Sequence, residues 1–414
     1  LACVVGLAGA GKSTMLASAV EIWRMNGVAV HGAAVSGKAA DGLHQATGIA
    51  SRTLASLELS WKNGYDPIKR GDVLVIDEAG MVGTRALARV ADKLKAVGAK
   101  LVLVGDPDQL RPIAAGMPFQ RLIDTHGAAR LTAIHRQKED WQKHASRDLA
   151  AGDVAAAVAA YDGRGAAQRA NDRRSALIKV VTNYMADVES HGTDTSRLAL
   201  AHRRRDVFAL NQAIRAAMRH TGHIVDADTL IHTPTGPRAF APGDRVVLTR
   251  NDKSLGVKNG MLGTVRQVRP QEGAQSDGGQ SHHKEGHPLN PNGDKQGDDT
   301  KYGTCHMVVT LDGDAPRTIK IDTAHYAHLD HGYAVTIHKA QGATVDHAYV
   351  LASKTMDTPL TYVAMTRHRA SLTLTIDTAD RPKWDKPDKI LDIAPQTKRH
   401  RSRYRRNQKP TLRR

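Results

Sequence analysis

A doubly wound α/β fold built on parallel sheets is predicted by three observations. Short β-branched, apolar runs alternate with helical stretches through the first 130 residues. One such run passes through a Gly-rich turn straight into a helix, and two others end abruptly in polar or acidic residues. Ligands of parallel sheets sit at the carboxyl ends of the strands, where these polar residues fall.

The elements follow in order. Leu1–Gly6 reads as a strand, Lys12–Met25 as a helix and Val28–Val35 as a second strand. Val73–Asp77 is an apolar strand of the buried kind, Thr84–Val97 a helix and Lys100–Gly105 another strand. From Arg136 to about Arg219 the chain is Ala-rich and helical, with a strand at Leu198–Ala201. Beyond Phe240 the texture changes to short β segments at Asp244–Thr249, Leu262–Val268, His306–Leu311 and Arg317–Ile321. Pro242-Gly243, Asn259-Gly260 and Asp312-Gly313 punctuate them, which predicts a small barrel or hairpin module. Tyr333–Ile337, His347–Leu351 and Leu372–Ile376 return to α/β texture. The segment Gln271–Lys301 holds only Ala274 and Leu289 as apolar residues and is predicted to be a disordered loop.

With 414 residues and 41% hydrophobic content the chain can build two or three cores. Nothing approaches the roughly 18 consecutive apolar residues of a membrane span, so no membrane insertion is expected. Starting on Leu1 inside a strand suggests a fragment of a longer protein. Two cysteines, Cys3 and Cys305, give no disulfide framework and fit a reducing cytoplasm. Lys and Arg number 59 against 42 Asp and Glu, an excess of 17. Nine of the basic residues lie between Gln396 and Arg414, where no acid occurs. A polyanionic partner is suggested, although a basic tail also suits a membrane surface or plain solubility.

Three strand ends carry chemistry. Gly6-Leu-Ala-Gly9-Ala-Gly11-Lys12-Ser13-Thr14 is a phosphate-binding loop between a strand and a helix. Its backbone amides can wrap phosphates, Lys12 can reach the β- and γ-phosphates, and Ser13 can offer its hydroxyl to Mg²⁺. Asp77 and Glu78 close an apolar strand. Asp77 is suited to share the metal with Ser13, and Glu78 to accept a proton from an attacking water. Gln109, after the strand Leu101–Gly105, can donate to a γ-phosphate while accepting from water.

The phosphate loop, Asp77–Gly80 (DEAG), Gly105–Leu110 (GDPDQL), His135–Gln137 (HRQ), Thr336–Gly342 (TIHKAQG) and Tyr362–Arg369 (YVAMTRHR) occur in the order of superfamily 1 helicases. Their style resembles the RecD-like branch that moves 5′→3′ on single strands. Arg136–Gly152, Gly256–Val265 and His331–Ser353 look like the helicase part of Ti-type conjugative relaxases of the TraA family. The resemblance implies two RecA-like P-loop domains with a small SH3-like β module inserted in the second. The implied boundaries are 1–135 for the first, 136–240 and 326–380 for the second, 241–325 for the module with loop 271–301, and 381–414 for a basic tail.

Carried over by motif, Arg136 and Arg367 match two arginines that reach the γ-phosphate. Gln341 and Gly342 match a cleft motif coupled to DNA, with Thr336, His338 and Lys339 beside it. Ser36, Gly37 and Lys38 match the segment that holds the strand backbone; a surface lysine after a turn is the competing account of Lys38. The resemblance implies ATP and Mg²⁺ as cofactors and single-stranded DNA as partner, with an upstream nicking domain and conjugation machinery in the whole protein. A RecD-like repair helicase and an RNA-directed motor are the alternatives. Arg111 departs from the family's proline or small residue after Gln109-Leu110, and Gln271–Lys301 is an extra insertion. His282, His283 and His287 fit solvated histidines better than ligands. The chain offers no histidine cluster with a catalytic tyrosine, so any nicking activity is expected N-terminal to Leu1.

Overall fold

The computed structural model describes residues 1–112, 114–270, 304–313 and 316–385. The polar segment 271–301 and the tail beyond Pro395 lie outside the described residues.

Six strands form the first sheet: β1 (Ala2–Gly6), β2 (Val30–Ala34), β3 (Ala50–Thr53), β4 (Val73–Asp77), β5 (Lys100–Gly105) and β6 (Ala129–Leu131). All pairings are parallel, in the order β3-β2-β4-β5-β1-β6. Right-handed crossovers bury such a sheet on both faces, which is why β4 reads Val-Leu-Val-Ile without alternation. One face packs Leu74, Ile76 and Leu103 against helix Thr84–Val97, whose Leu87, Val90 and Leu94 repeat at helical spacing. Gly98 ends that helix in the left-handed conformation, φ 74°. The opposite face packs Val73, Val75 and Val104 against Leu16 and Val20 of helix Lys12–Met25.

The second sheet is likewise all parallel but assembled from distant pieces. β7 (Ala167–Ala170) and β8 (Arg197–Ala201) come before a long excursion. That excursion begins with the hairpin β9 (Thr229–Thr233) and β10 (Gly236–Phe240). It continues with β11 (Arg245–Leu248), β12 (Leu262–Pro270), β13 (Cys305–Leu311), β14 (Arg317–Asp322) and β15 (Leu329–His331). β16 (Ala334–Thr336), β17 (Val345–Ala352) and β18 (His368–Asp377) then complete the order β16-β8-β17-β18-β7. Strand β7, with the polar sequence AQRA, is an edge strand that the Ala-rich helical pattern conceals. The excursion forms an antiparallel sheet in the order β14-β13-β12-β11-β15 around Val246, Val265, Met307 and Val309. Among the described residues its two outer strands do not pair with each other, so of the barrel or hairpin module that the sequence suggests it takes the form of an open antiparallel sheet.

One core cluster crosses between the halves. Ala8 and Leu110 of the first half share it with Leu360, Val363 and Ala364 of helix Thr358–Met365 and with the second sheet. That contact packs the segments that follow β1 and β5 against helix Thr358–Met365.

Candidate active site at the cleft

The phosphate loop is shaped by glycine. Gly9 has φ 78°, and a β-carbon placed on it would stand 2.5 Å from Arg136 Cβ, so no side chain fits without moving the arginine. His135 N donates to Gly9 O at 2.9 Å, tying the HRQ segment to the loop. Gly11, φ 76°, starts helix Lys12–Met25. Lys12 folds back over the loop and donates from Nζ to Gly6 O at 2.8 Å and Leu7 O at 3.2 Å. Ser13 and Thr14 lie exposed on the first turn.

Strand β4 delivers the two acids. Burial and the Glu78 charge push the Asp77 carboxyl above its usual range, while Lys12 opposes the shift. Among the described residues Glu78 is the non-glycine residue with a left-handed backbone, φ 51°. For a side chain bearing Cβ that conformation costs about 1–2 kcal/mol. It turns the carboxylate toward the second half, where Gln341 Nε2 donates to Glu78 Oε2 at 3.3 Å. The other amide atom, Gln341 Oε1, is buried and has no hydrogen-bond partner among the described residues. Such an acceptor is costly unless a ligand or water satisfies it.

The arginines approach from the second half. Arg136 donates from Nη1 to Thr366 O at 2.8 Å. Arg367 is 2% exposed and donates from Nε to Val363 O at 2.7 Å and from Nη2 to Thr366 Oγ1 at 2.8 Å. Burial, then the neighbouring Arg367 charge, pushes the Arg136 guanidinium down, with Glu78 and Tyr362 opposing. Burial also lowers Arg367, again opposed by Glu78. Two desolvated cations therefore share the cleft with a carboxylate, an arrangement that favours an incoming polyanion.

Gln109 sits deeper than a sensor at an open strand end. Its Nε2 donates to Asp106 Oδ2 at 2.9 Å, and it is 4% exposed. The same oxygen accepts from Tyr362 Oη at 2.7 Å, and that hydroxyl accepts from Ala8 N at 2.8 Å. A relay thus runs from the phosphate loop through Tyr362 to Asp106 and Gln109. Sequence reasoning passes over Tyr362 and Asp106, although both stand inside motifs it quotes. A buried tyrosine in an otherwise apolar helix was the available signal, since its hydroxyl must find partners.

The residues expected on DNA fall into two groups. Ser36 accepts from Ala39 N at 3.1 Å and caps helix Gly37–Thr47. A β-carbon on Gly37 would lie 3.2 Å from Lys258 Cδ and 3.4 Å from Asn251 Oδ1, so this turn faces the antiparallel sheet. Lys38 lies beside Gly260 there; burial, then Arg367, pushes its ammonium down to about 8. Thr336 ends β16 and His338 and Lys339 follow it; Thr336 Oγ1 accepts from Lys339 N at 3.3 Å, and His338 and Lys339 are exposed.

Comparison with known proteins adds the relatives. The AAA domain model matches residues 1–172, and the model of the viral superfamily 1 RNA helicase core domain matches residues 280–375. A conjugal transfer protein TraA of Agrobacterium fabrum is 41% identical over 374 residues, covering 90% of this chain and 31% of that protein. The chain thus spans about a third of the length of such relatives. An ATP-dependent RecD2 DNA helicase of Deinococcus radiodurans is 27% identical over 361 residues, 83% of this chain and 42% of that one. Among solved structures, the Pif1 helicase of Candida albicans matches with a TM-score of 0.56 at 20% identity, over 90% of this chain and 91% of that chain. That last likeness is one of fold.

Proposed function

We propose that this chain, which matches a helicase core domain model and about a third of TraA-type conjugal transfer proteins, is an ATP-driven superfamily 1 motor that moves 5′→3′ on single-stranded DNA during conjugative transfer. The observation that carries this is the split site. A phosphate loop and two acids stand on one half, while Gln341, Arg136 and Arg367 close from the other.

The chemistry is phosphoryl transfer from ATP to water. Amides of Gly9–Thr14 hold the phosphates, and Lys12 exchanges its loop carbonyls for phosphate oxygens. Glu78 orients the attacking water and takes its proton. Arg136 and Arg367 spread their charge over the transferring oxygens, and a planar guanidinium suits that geometry. Gln109 reports the γ-phosphate through Asp106 and Tyr362. The adjacent carboxylates of Asp77 and Glu78 suit a divalent cation, whose charge would relieve their mutual repulsion. Ser13 and Asp77 would hold Mg²⁺, which supplies charge neutralisation between the phosphates. Ser36, Gly37 and Lys38 hold the strand from the first half; Thr336, His338 and Lys339 hold it from the second. ATP-dependent closure makes those two grips alternate. The whole protein would add an upstream nicking domain, conjugation partners and a cytoplasmic setting.

Single-stranded DNA should raise ATP turnover, and duplexes with a 5′ tail should be unwound in preference to 3′-tailed ones. Glu78→Gln should retain ATP binding and lose turnover; turnover at the parent rate would remove Glu78 as the base. The viral RNA helicase match over 280–375 favours one other substrate, single-stranded RNA. Stronger stimulation by RNA than by DNA of equal length would select it.

A further inference from the structure

Away from the cleft, the second half brings together three residues that no sequence motif connects. Asp187 and His191 stand on the last turns of helix Arg173–His191, and His347 stands on β17, some 150 residues later. His191 Nδ1 lies 2.9 Å from Asp187 Oδ1, and His347 Nδ1 lies 3.3 Å from the same oxygen. All three donor atoms fall within 4.8 Å of one another. The two imidazole rings lie 4.8 Å apart, centre to centre, and are tilted by 33°.

From these positions we infer that Asp187, His191 and His347 form a binding site for a transition-metal dication, best suited to Zn²⁺. Two imidazole nitrogens and one carboxylate oxygen are a donor set that zinc accepts. A tetrahedral zinc with bonds of about 2.0–2.1 Å sets its donor atoms roughly 3.3 Å apart, close to the 2.9 and 3.3 Å that separate the Asp187 oxygen from the two rings. The remaining position opens onto a cleft of about 520 Å³ lined by Lys138, Asp194, Thr195 and Asp346, where water can complete the coordination.

The surroundings fix the donors as an outer shell does. Arg197 donates from Nε to Asp187 Oδ2 and from Nη2 to the Asp187 carbonyl, leaving Oδ1 turned to the two rings. Ser371 Oγ lies 2.7 Å from His347 Nδ1, a contact that an ion bound through that nitrogen would displace. A cation here would tie the end of helix Arg173–His191 to β17. Asp346, which precedes His347, stands 3.6 Å from Arg369 Nη1, two residues beyond Arg367. The bound ion therefore braces the strand beside the cleft without entering it.

Zinc binding to the untagged chain tests the site, in a background where His282, His283 and His287 are replaced by alanine so that the polar segment contributes nothing. Equilibrium competition against a chromophoric chelator, with Zn²⁺ as the probe, should give one ion per chain, and Co²⁺ should give the visible absorption of a four-coordinate site. His191 is exposed, so H191A should fold as the parent does, which far-UV circular dichroism checks. It should bind Zn²⁺ about 100-fold more weakly or worse. Zinc should raise the melting temperature of the background protein and not that of H191A. H347A, whose ring is more buried, should lose the Co²⁺ spectrum. Zinc bound by H191A with the background's stoichiometry and affinity would overturn the assignment. So would a background protein that takes up no zinc at tens of micromolar.

Discussion

The two parallel sheets meet at one cleft, yet they furnish it with opposite chemistry by opposite means. The first half offers anion-cradling amides and acids at strand ends, with Ser13 and Thr14 exposed on the helix that follows. The second half offers cations that are already desolvated and held by their own backbone, Arg136 on Thr366 O and Arg367 on Val363 O. On the function proposed above, the first half binds the nucleotide. The second is equipped to act on it only when the halves meet.

That division can be broken most severely from the first half. Lys12→Ala removes the phosphate clamp, and both ATP affinity and turnover should collapse, with turnover down about 10³-fold or more. Equilibrium nucleotide binding and steady-state hydrolysis measure the two. Arg367→Ala should cut turnover by about 10³-fold while leaving ATP affinity within a few-fold, because its contact belongs to the closed state. Parallel loss of affinity and turnover would make Arg367 part of the binding half and erase the distinction.

The seam between the halves gives a smaller effect. Tyr362→Phe deletes one hydroxyl that accepts from Ala8 N and donates to Asp106. A hydrogen bond to a charged partner is worth about 1.5–3 kcal/mol. DNA-stimulated turnover should fall roughly tenfold or more, with nucleotide affinity retained. An unchanged rate would show that the relay does not couple the halves.

The smallest effect concerns the strand grip. Lys38→Ala should lower the salt slope of single-strand affinity by about 0.7, one phosphate contact's share. Because its ammonium is pushed down to about 8, the parent protein's slope should drift toward that of the variant as pH rises from 7 to 9. Lys38→Arg should keep the slope constant across that range, since guanidinium stays charged.

Legibility from sequence follows the same division. Helix Lys12–Met25, strand β4, helix Thr84–Val97 and strand β5 are readable to the residue because buried parallel strands are continuous apolar runs and their helices carry a regular apolar stripe. Strands β3, β6 and β7 escape, because ASRT, ARL and AQRA are short, polar edge or near-edge segments whose pairing comes from neighbours far away. In the cleft, motif order points to Lys12, Asp77, Glu78 and the arginines. It does not point to Gln109 lying on Asp106, or to Tyr362 joining the halves. The Asp187, His191 and His347 cluster is invisible in one dimension, because a helix end and a strand so far apart in the chain must first be folded together.

The interruption of the second sheet also sets a timetable for the protein's birth. All six strands of the first sheet have been synthesised once residue 131 has been made. Strand β7, by contrast, pairs among the described residues only with β18, whose last residue is Asp377. At roughly 5–20 residues per second, β7 therefore waits on the order of 10–40 s for its neighbour. During that interval the nascent chain carries a first half whose strands are all made, joined to a sheet with open edges. A short, polar strand is well chosen for such a wait, because it offers other chains little to join.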